Sequence, residues 1–253
     1  MVPMATFGDL IVENFDYGDT GGNLIDFGSA GDGWGGGWSG NNAANYFPDT
    51  NLTYTADGYS NLNNDANTGS AGGGSNPGNV SRRDFSSGLD GTVWFSALAN
   101  MANTGQDLLF WLTGDATNNN FVAIRGDEAH VRVAGNTMNT TGQSFADNTT
   151  HLWLVRATMD SAGDDTLDFW INPDLSGGES GLGTPLLSQT GQMGATMTGV
   201  GISMGSGTNL LDAIRVSNEE NGFELVTVIP EPGTFLLVGI AGFLLAYFRR
   251  RLR

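Results

Sequence analysis

Short apolar runs separated by polar, glycine-bearing segments recur along residues 10–217, and runs with a helical period are almost absent. Several of the apolar runs alternate with a period of two, as half-buried antiparallel strands do. We predict strands at Leu10–Phe15, Thr92–Ala97, Asp107–Thr113, Asn120–Arg125, His130–Ala134, Leu152–Met159, Thr166–Asn172, Gly199–Met204 and Leu210–Ser217.

The run 166–172 shows the alternation most clearly, with Asp168 and Trp170 on its polar side. The polar, glycine-bearing segment 160–165 before it is typical of a hairpin turn. Many short strands without a clean internal repeat favour an all-β fold, an antiparallel two-sheet sandwich of jelly-roll type. We assign this body to residues 8–227.

Two stretches lack any apolar run. Residues 30–45 are rich in Gly and Asn, and residues 61–79 contain further Gly, Asn and Ser. The second stretch predicts a long exposed loop. The 39 glycines of the chain are therefore explained by turns and loops.

The segment 228–253 has a different pattern. It consists of Pro230, Glu231 and Pro232, an uncharged apolar run over 233–248, and an arginine tail over 249–253. A helix of this length reaches about 24 Å at 1.5 Å per residue, so it predicts one short C-terminal transmembrane helix with help from flanking residues. The alternative is a buried core helix, but the run has no polar face.

Charge divides the chain at the same point. The 253 residues carry a formal net charge of −17, contain no lysine and no cysteine, and place four of ten arginines after residue 248. Residues 1–230 alone carry a net charge of −20. This balance excludes a nucleic-acid partner, and the missing cysteine excludes disulfides and thiol chemistry. The positive-inside rule places the arginines in the cytoplasm and the acidic body across the membrane.

The order Pro-Glu-Pro, apolar run, arginine cluster resembles the PEP-CTERM sorting signal of exported bacterial proteins. The resemblance implies recognition of Pro230, Glu231 and Pro232 by an exosortase, a cysteine transpeptidase that cuts nearby, with Arg249, Arg250 and Arg251 as the stop-transfer cluster. This chain is then the substrate. Met1–Leu10 has no basic n-region and no apolar run of seven, so we expect that a signal peptide is missing from this chain.

A second resemblance covers Asp164–Leu175, which reads DDTLDFWINPDL, together with Glu13–Asp16 and Leu211–Arg215. These segments are similar to those of concanavalin A-like (laminin-G-type) domains. The resemblance implies the jelly-roll fold and no particular activity.

Candidate chemistry in the body is sparse. The chain has no Glu-x-Asp-x-x-Glu run of the kind found in jelly-roll glycoside hydrolases, so we expect no enzymatic activity. Asp164, Asp165 and Asp168 are weak candidates for a calcium site, against the alternative of a solvated hairpin turn. No other cofactor is expected.

Aromatic residues give the remaining indication of a ligand. Trp170, Trp34 and Trp38 are candidates for stacking on sugar rings, although most tryptophans of β-sandwiches fill the core. We expect the pair Arg82–Arg83 at the surface and the two histidines exposed or simply hydrogen-bonded. The leading hypothesis is an exported cell-surface or extracellular-matrix protein, and the alternative is a carbohydrate-binding module or degenerate glycanase with a polysaccharide partner.

Overall fold

Antiparallel strands make up nearly all regular structure in the part of the chain that is described. The structure, a computed structural model, describes residues 10–18, 20–28, 33–40, 44–48, 50–54, 69–73, 80–102, 107–114, 120–145, 147–160, 163–205 and 209–227. The strands are β1 (Ile11–Glu13), β2 (Gly22–Asn23), β3 (Ser39–Gly40), β4 (Ala44–Phe47), β5 (Ser70–Gly73), β6 (Ser81–Leu89), β7 (Thr92–Asn100), β8 (Asp107–Gly114), β9 (Asn120–Arg125), β10 (Glu128–Val133), β11 (Asn136–Asn139), β12 (Thr150–Thr158), β13 (Asp165–Ile171), β14 (Leu187–Gly191), β15 (Met197–Met204) and β16 (Leu210–Ser217). Two 3-10 turns (Leu24–Asp26 and Glu179–Gly181) and one short helix, α1 (Gly222–Thr227), accompany them.

The strands form two sheets. The nine-stranded sheet has the order β14-β13-β12-β7-β16-β5-β4-β2, with β1 also paired to β16. The seven-stranded sheet has the order β11-β10-β9-β8-β15-β6-β3. Strands distant in sequence are neighbours in both sheets, so the chain crosses repeatedly between them. The predicted all-β, two-sheet antiparallel sandwich is confirmed.

The main core lies between the two sheets. It is built from inward-facing residues of both, including Phe95, Phe110, Val122, Phe169 and Ile202. Such alternation is what a half-buried strand requires. Strands β9 and β16 have the predicted bounds, and β12 and β13 pair antiparallel around the predicted hairpin turn.

Seven strands were not predicted from the sequence, namely β2, β3, β4, β5, β6, β11 and β14, and two of them, β5 and β6, show why. Strand β5 lies inside the stretch 61–79 that we expected to be an exposed loop, and it is buried. Its small residues allow close packing, because a Cβ at Gly72 would lie 2.9 Å from the Asn209 carbonyl oxygen. Strand β6 was not predicted, because arginine occupies one of its inward positions.

A second apolar cluster lies on the outer side of the nine-stranded sheet, where α1 and residues 172–186 cover β7, β12 and β13. We call this side the covered face. Its buried residues are Leu52, Trp94, Leu98, Leu152, Leu154, Trp170, Leu175, Leu182, Ala213, Phe223 and Val226. The cluster explains why β7 and β12 are apolar on both sides.

The described residues contain no helix that is both long enough and apolar enough to span a bilayer. The predicted helix over 233–248 and the arginine tail lie outside the described residues.

Candidate functional site

The described body ends on helix α1, which is fixed to the covered face. Phe223 and Val226 are buried at 3% and 0% exposure. The ring of Phe223 packs edge-to-face on Trp94 with centroids 5.3 Å apart. Ser96 Oγ donates to the Val226 carbonyl oxygen at 2.6 Å, and Thr227 Oγ1 donates to the Phe223 carbonyl oxygen at 2.7 Å. The chain is therefore held by the body up to Thr227.

The predicted sorting residues follow at once. Pro230, Glu231 and Pro232 lie outside the described residues, as do Arg249, Arg250 and Arg251. Pro230 is three residues beyond Thr227 in the sequence. The motif therefore begins directly after the last described residue of the body.

Trp170 lies in the covered face rather than on a polar strand side. Its side chain is 5% exposed, and its ring stacks on that of Trp94 with centroids 6.0 Å apart. The Arg156 guanidinium lies 5.7 Å from the same ring, and the indole nitrogen donates to the Gly183 carbonyl oxygen at 3.5 Å. Strand alternation alone could not show this, because the covering residues come from distant parts of the chain.

Trp34 and Trp38 are also buried, at 9% and 4% exposure. The indole nitrogen of Trp34 donates to the Val12 carbonyl oxygen at 2.8 Å, and that of Trp38 donates to the Tyr17 hydroxyl at 2.9 Å. The three tryptophans that the sequence suggested for sugar stacking are thus all packed against protein. Two of them lie in the main core and one in the covered face.

The three aspartates proposed for calcium point to different partners. Asp164 accepts from Gln192 Nε2 at 3.0 Å. Buried Asp165 caps the hairpin by accepting from the backbone N–H groups of residues 160 and 193. Asp168 accepts from Arg156 Nη2 at 2.7 Å. Within the described residues, no three acidic or histidine side chains are grouped so that they could hold a metal ion.

An open groove of about 570 Å³ lies beside α1 on the covered face. It is lined by Arg156, Gly177, Gly178, Glu179, Ser180 and Glu224. Arg156 is already engaged there, because it bonds Asp168 and lies 3.7 Å from a Glu179 carboxylate oxygen. The groove therefore contains a neutralised cation and two flanking carboxylates.

Arg83 corrects the expectation that Arg82–Arg83 is a surface pair. Its side chain is fully buried between the sheets and forms an ion pair with Glu13. The guanidinium also donates to the Gly36 carbonyl oxygen at 2.9 Å and lies 4.6 Å from the Trp34 ring. Burial raises the pKa of Glu13, and the charge of Arg83 opposes that rise. A buried guanidinium needs such partners, and nothing in the local sequence identified them.

His151 is hydrogen-bonded, as expected. Its Nε2 lies 3.0 Å from Asp147 Oδ1, and its Nδ1 lies 2.8 Å from Asn172 Nδ2. Partial burial raises the pKa of Asp147, but hydrogen bonds from Thr149 and His151 outweigh it, and the pKa is lowered. Thr149 Oγ1 lies 3.1 Å from His151 Nε2 and donates to Asp147 Oδ1 at 2.7 Å, so these side chains form one local hydrogen-bond network.

The outer side of the seven-stranded sheet, formed by the outward residues of β6, β8, β9, β10 and β15, carries several buried polar atoms that have no hydrogen bond within the described residues. We call it the open face. The strand register aligns Arg82, Gly201, Trp111, Phe121 and Arg132 in one row across these five strands. Neighbouring strands are about 4.8 Å apart, so the row spans about 19 Å.

One end of this row is an aromatic and cationic cluster. Trp111 packs edge-to-face on Phe121 with centroids 4.9 Å apart, and the Arg132 guanidinium lies 5.9 Å from the Phe121 ring. His130 lies on the same strand as Arg132, two residues before it and on the same side. Trp111, His130 and Arg132 are half-buried, while Phe121 beneath them is fully buried.

Three polar atoms of this cluster are buried without a partner. Trp111 Nε1, His130 Nδ1 and Arg132 Nε have no hydrogen bond. A buried donor without an acceptor costs about 1–3 kcal/mol. Desolvation, and then the nearby charge of Arg125, lower the pKa of His130, which favours its neutral form. The cluster thus offers donors that the described protein does not use.

Comparison with protein families matches residues 228–251 to the PEP-CTERM protein-sorting motif. No curated protein matches the chain. Among solved structures, the chain is similar to endo-beta-1,4-glucuronan lyase from the fungus Trichoderma reesei, with 9% identity and a TM-score of 0.46 over 83% of this chain and 98% of that one.

An alginate lyase in complex with an alginate trisaccharide is similar at 11% identity and a TM-score of 0.45, over 85% of this chain and 100% of that one. The T. cruzi calreticulin globular domain is similar at 10% identity and a TM-score of 0.39, over 69% and 84%. These values are too low to carry an argument about function. The sorting motif is the resemblance that the comparisons establish.

Proposed function

We propose that this chain is an exported cell-surface or extracellular-matrix protein that an exosortase-type enzyme sorts and cleaves through residues 228–253. The observation that carries the proposal is the match of residues 228–251 to the PEP-CTERM protein-sorting motif. The expected recognition residues Pro230, Glu231 and Pro232 all lie within that match.

The place where the folded body ends and the sorting motif begins supports the proposed cleavage. The described core residues all precede residue 228, and α1 closes the covered face with contacts made by Phe223 and Val226. Cleavage at the Pro-Glu-Pro residues would therefore separate the motif without cutting into the described core. The folded body would be released or transferred intact.

Charge and hydrophobicity support the direction of export. In the proposal, the apolar run over 233–248 holds the chain in the membrane and the arginines from 249 onward stay in the cytoplasm. The body, with its net charge of −20, then lies on the opposite side of the membrane. The proposal assigns this body no enzymatic activity, and that part stays a prediction.

The test replaces Pro230, Glu231 and Pro232 together with alanine in the protein expressed from its native locus. We expect the variant to accumulate in the membrane fraction with its C-terminal peptide still attached, as measured by cell fractionation and intact-mass spectrometry. Pro185→Ala is the matched control, because Pro185 lies in the body and outside the motif.

The control should be processed like the native protein. Equal amounts of native protein and triple variant at the cell surface, both lacking the C-terminal peptide, would overturn the sorting role. Deletion of 228–253 gives a second measurement: the shortened protein should lose its membrane association while keeping its β-sheet signal in circular dichroism.

A further inference from the structure

The cluster of Trp111, His130 and Arg132 on the open face has the chemistry of a ligand site. Trp111 Nε1 and Arg132 Nε can only donate hydrogen bonds, and both lack acceptors. Phe121 lies beneath these side chains and fixes their positions through ring contacts. A fitting ligand must bring acceptor atoms together with an apolar surface that can lie against the indole.

At least four of the six arginines of the body form ion pairs, and Arg132 does not within the described residues. Arg82, Arg83, Arg125 and Arg156 each pair with a carboxylate. Arg132 forms no ion pair with any described residue, although the body carries 26 acidic residues against 6 arginines. A half-buried, unpaired guanidinium in so acidic a protein points to a carboxylate supplied from outside.

We propose that the open face binds an acidic polysaccharide, with Arg132 holding the sugar carboxylate and Trp111 packing against the sugar ring. His130 completes the site as a neutral hydrogen-bonding group beside Arg132. The row from Arg82 to Arg132 crosses five strands, which gives the polymer a path along the sheet. The sequence suggested Trp170, Trp34 and Trp38 for polysaccharide binding, whereas this proposal places the polysaccharide on the outer side of the seven-stranded sheet.

The hydrogen-bond donors of this cluster favour a carboxylate over a neutral ligand group. A guanidinium fork matches a carboxylate in a bidentate geometry, whereas a neutral sugar leaves its charge unpaired. The net charge of the body repels polyanions at long range, so a general electrostatic attraction does not explain binding. Binding therefore depends on this local cluster, and measurement at about 0.15 M salt screens the distant charges.

The test measures binding of an oligogalacturonate to the full chain in detergent by isothermal titration calorimetry. The methyl-esterified oligomer has the same sugar rings without the charge. We expect it to bind at least tenfold more weakly than the acid. Arg132→Gln should lose a similar factor for the acid and little for the ester, because the carboxylate contact is already absent there.

Arg125→Gln is the matched control variant. It makes the same change of charge on the same sheet, but Arg125 already pairs with Asp107 at 3.0 Å. We expect its affinity to stay within about threefold of the native protein. Thermal unfolding of both variants would show that each remains folded.

Several outcomes would overturn the proposal. These are no heat of binding with the acid, equal affinity for acid and ester, or an equal loss in Arg125→Gln and Arg132→Gln. Binding of dextran sulfate but not of oligogalacturonate would replace the carboxylate with a sulfate and equally reject the assignment. The sorting role is measured by fractionation, so each idea can fail without the other.

Discussion

On the covered face, Arg156 lies over the rings of Trp94 and Trp170 and pairs with Asp168. On the open face, Arg132 lies over Phe121 and has no carboxylate partner among the described residues. The two faces thus use the same kinds of side chain. In the covered face Arg156 is paired with a carboxylate of the protein, whereas in the open face the donor atoms Arg132 Nε and Trp111 Nε1 have no partner among the described residues.

The difference comes from what each sheet packs against. Helix α1 and residues 172–186 bring Leu175, Leu182 and Phe223 onto the nine-stranded sheet. Among the described residues, the open face has a small apolar cluster of Leu109, Phe121 and Ala123, against which Trp111 packs. The number of tryptophans therefore does not distinguish the two faces, whereas the pairing of Arg156 and Arg132 does.

The largest expected difference between the two faces is in stability, when one tryptophan is removed from each. Trp170→Ala should lower the free energy of unfolding by about 3–5 kcal/mol, because it empties a buried site beneath Arg156. Trp111→Ala should cost only about 1–2 kcal/mol, because its ring is half-buried. Urea denaturation of both variants measures the difference. Equal losses would mean that the open face is as tightly packed as the covered one.

A smaller difference in stability is expected between substitutions of Arg156 and Arg132. Arg156→Gln leaves the buried Asp168 carboxylate with Ser188 Oγ as its remaining side-chain donor, at 2.6 Å, and should cost about 1–3 kcal/mol. Arg132→Gln removes no ion pair and should change stability by less than about 0.5 kcal/mol. Thermal unfolding at neutral pH checks both. A large loss in Arg132→Gln would contradict a binding role and indicate a structural one.

The smallest effect is a pH dependence at His130. Its pKa lies below the ordinary value because burial and Arg125 disfavour the charged form, against the opposite influence of Glu128 and Asp107. The unfolded chain then binds the proton more readily than the folded one. The contribution of His130 to stability is complete above its ordinary pKa of about 6.5 and is lost as pH falls below that value.

His130→Gln removes this one contribution. Between pH 7 and pH 5 the melting temperature of the native protein should therefore fall further than that of the variant, by about 1–2 °C. Differential scanning calorimetry at several pH values gives both slopes. Parallel slopes would show that His130 is as hydrated when folded as when unfolded.

Sequence patterns predicted the elements that are determined by residues close together in the chain. The alternation in β13 and the polar hairpin turn before it gave a correct strand pair. The motif at residues 228–251 was recognised from the order of its three parts. The bounds of β9 and β16 followed from apolar runs flanked by polar residues.

The remainder depended on contacts between distant segments. Arg83 occupies a core position because Glu13, seventy residues earlier, neutralises it. Trp170 is buried because Trp94, far away in the sequence, stacks on its ring, and because residues 172–186 and α1 cover the same cluster. Trp111 lies in an apolar run that gave no reason to single it out, and only the register of β8, β9 and β10 brings it beside Phe121 and Arg132.

The attachment of α1 also determines which face of the sandwich is nearest to the C-terminal segment. The helix leaves the body on the covered face, and residue 228 follows directly, so any anchor that holds the chain there holds that side of the sandwich. The open face lies on the far side of two sheets stacked about 10 Å apart. The row of arginine and aromatic side chains therefore lies on the side of the sandwich opposite the point where residue 228 follows α1.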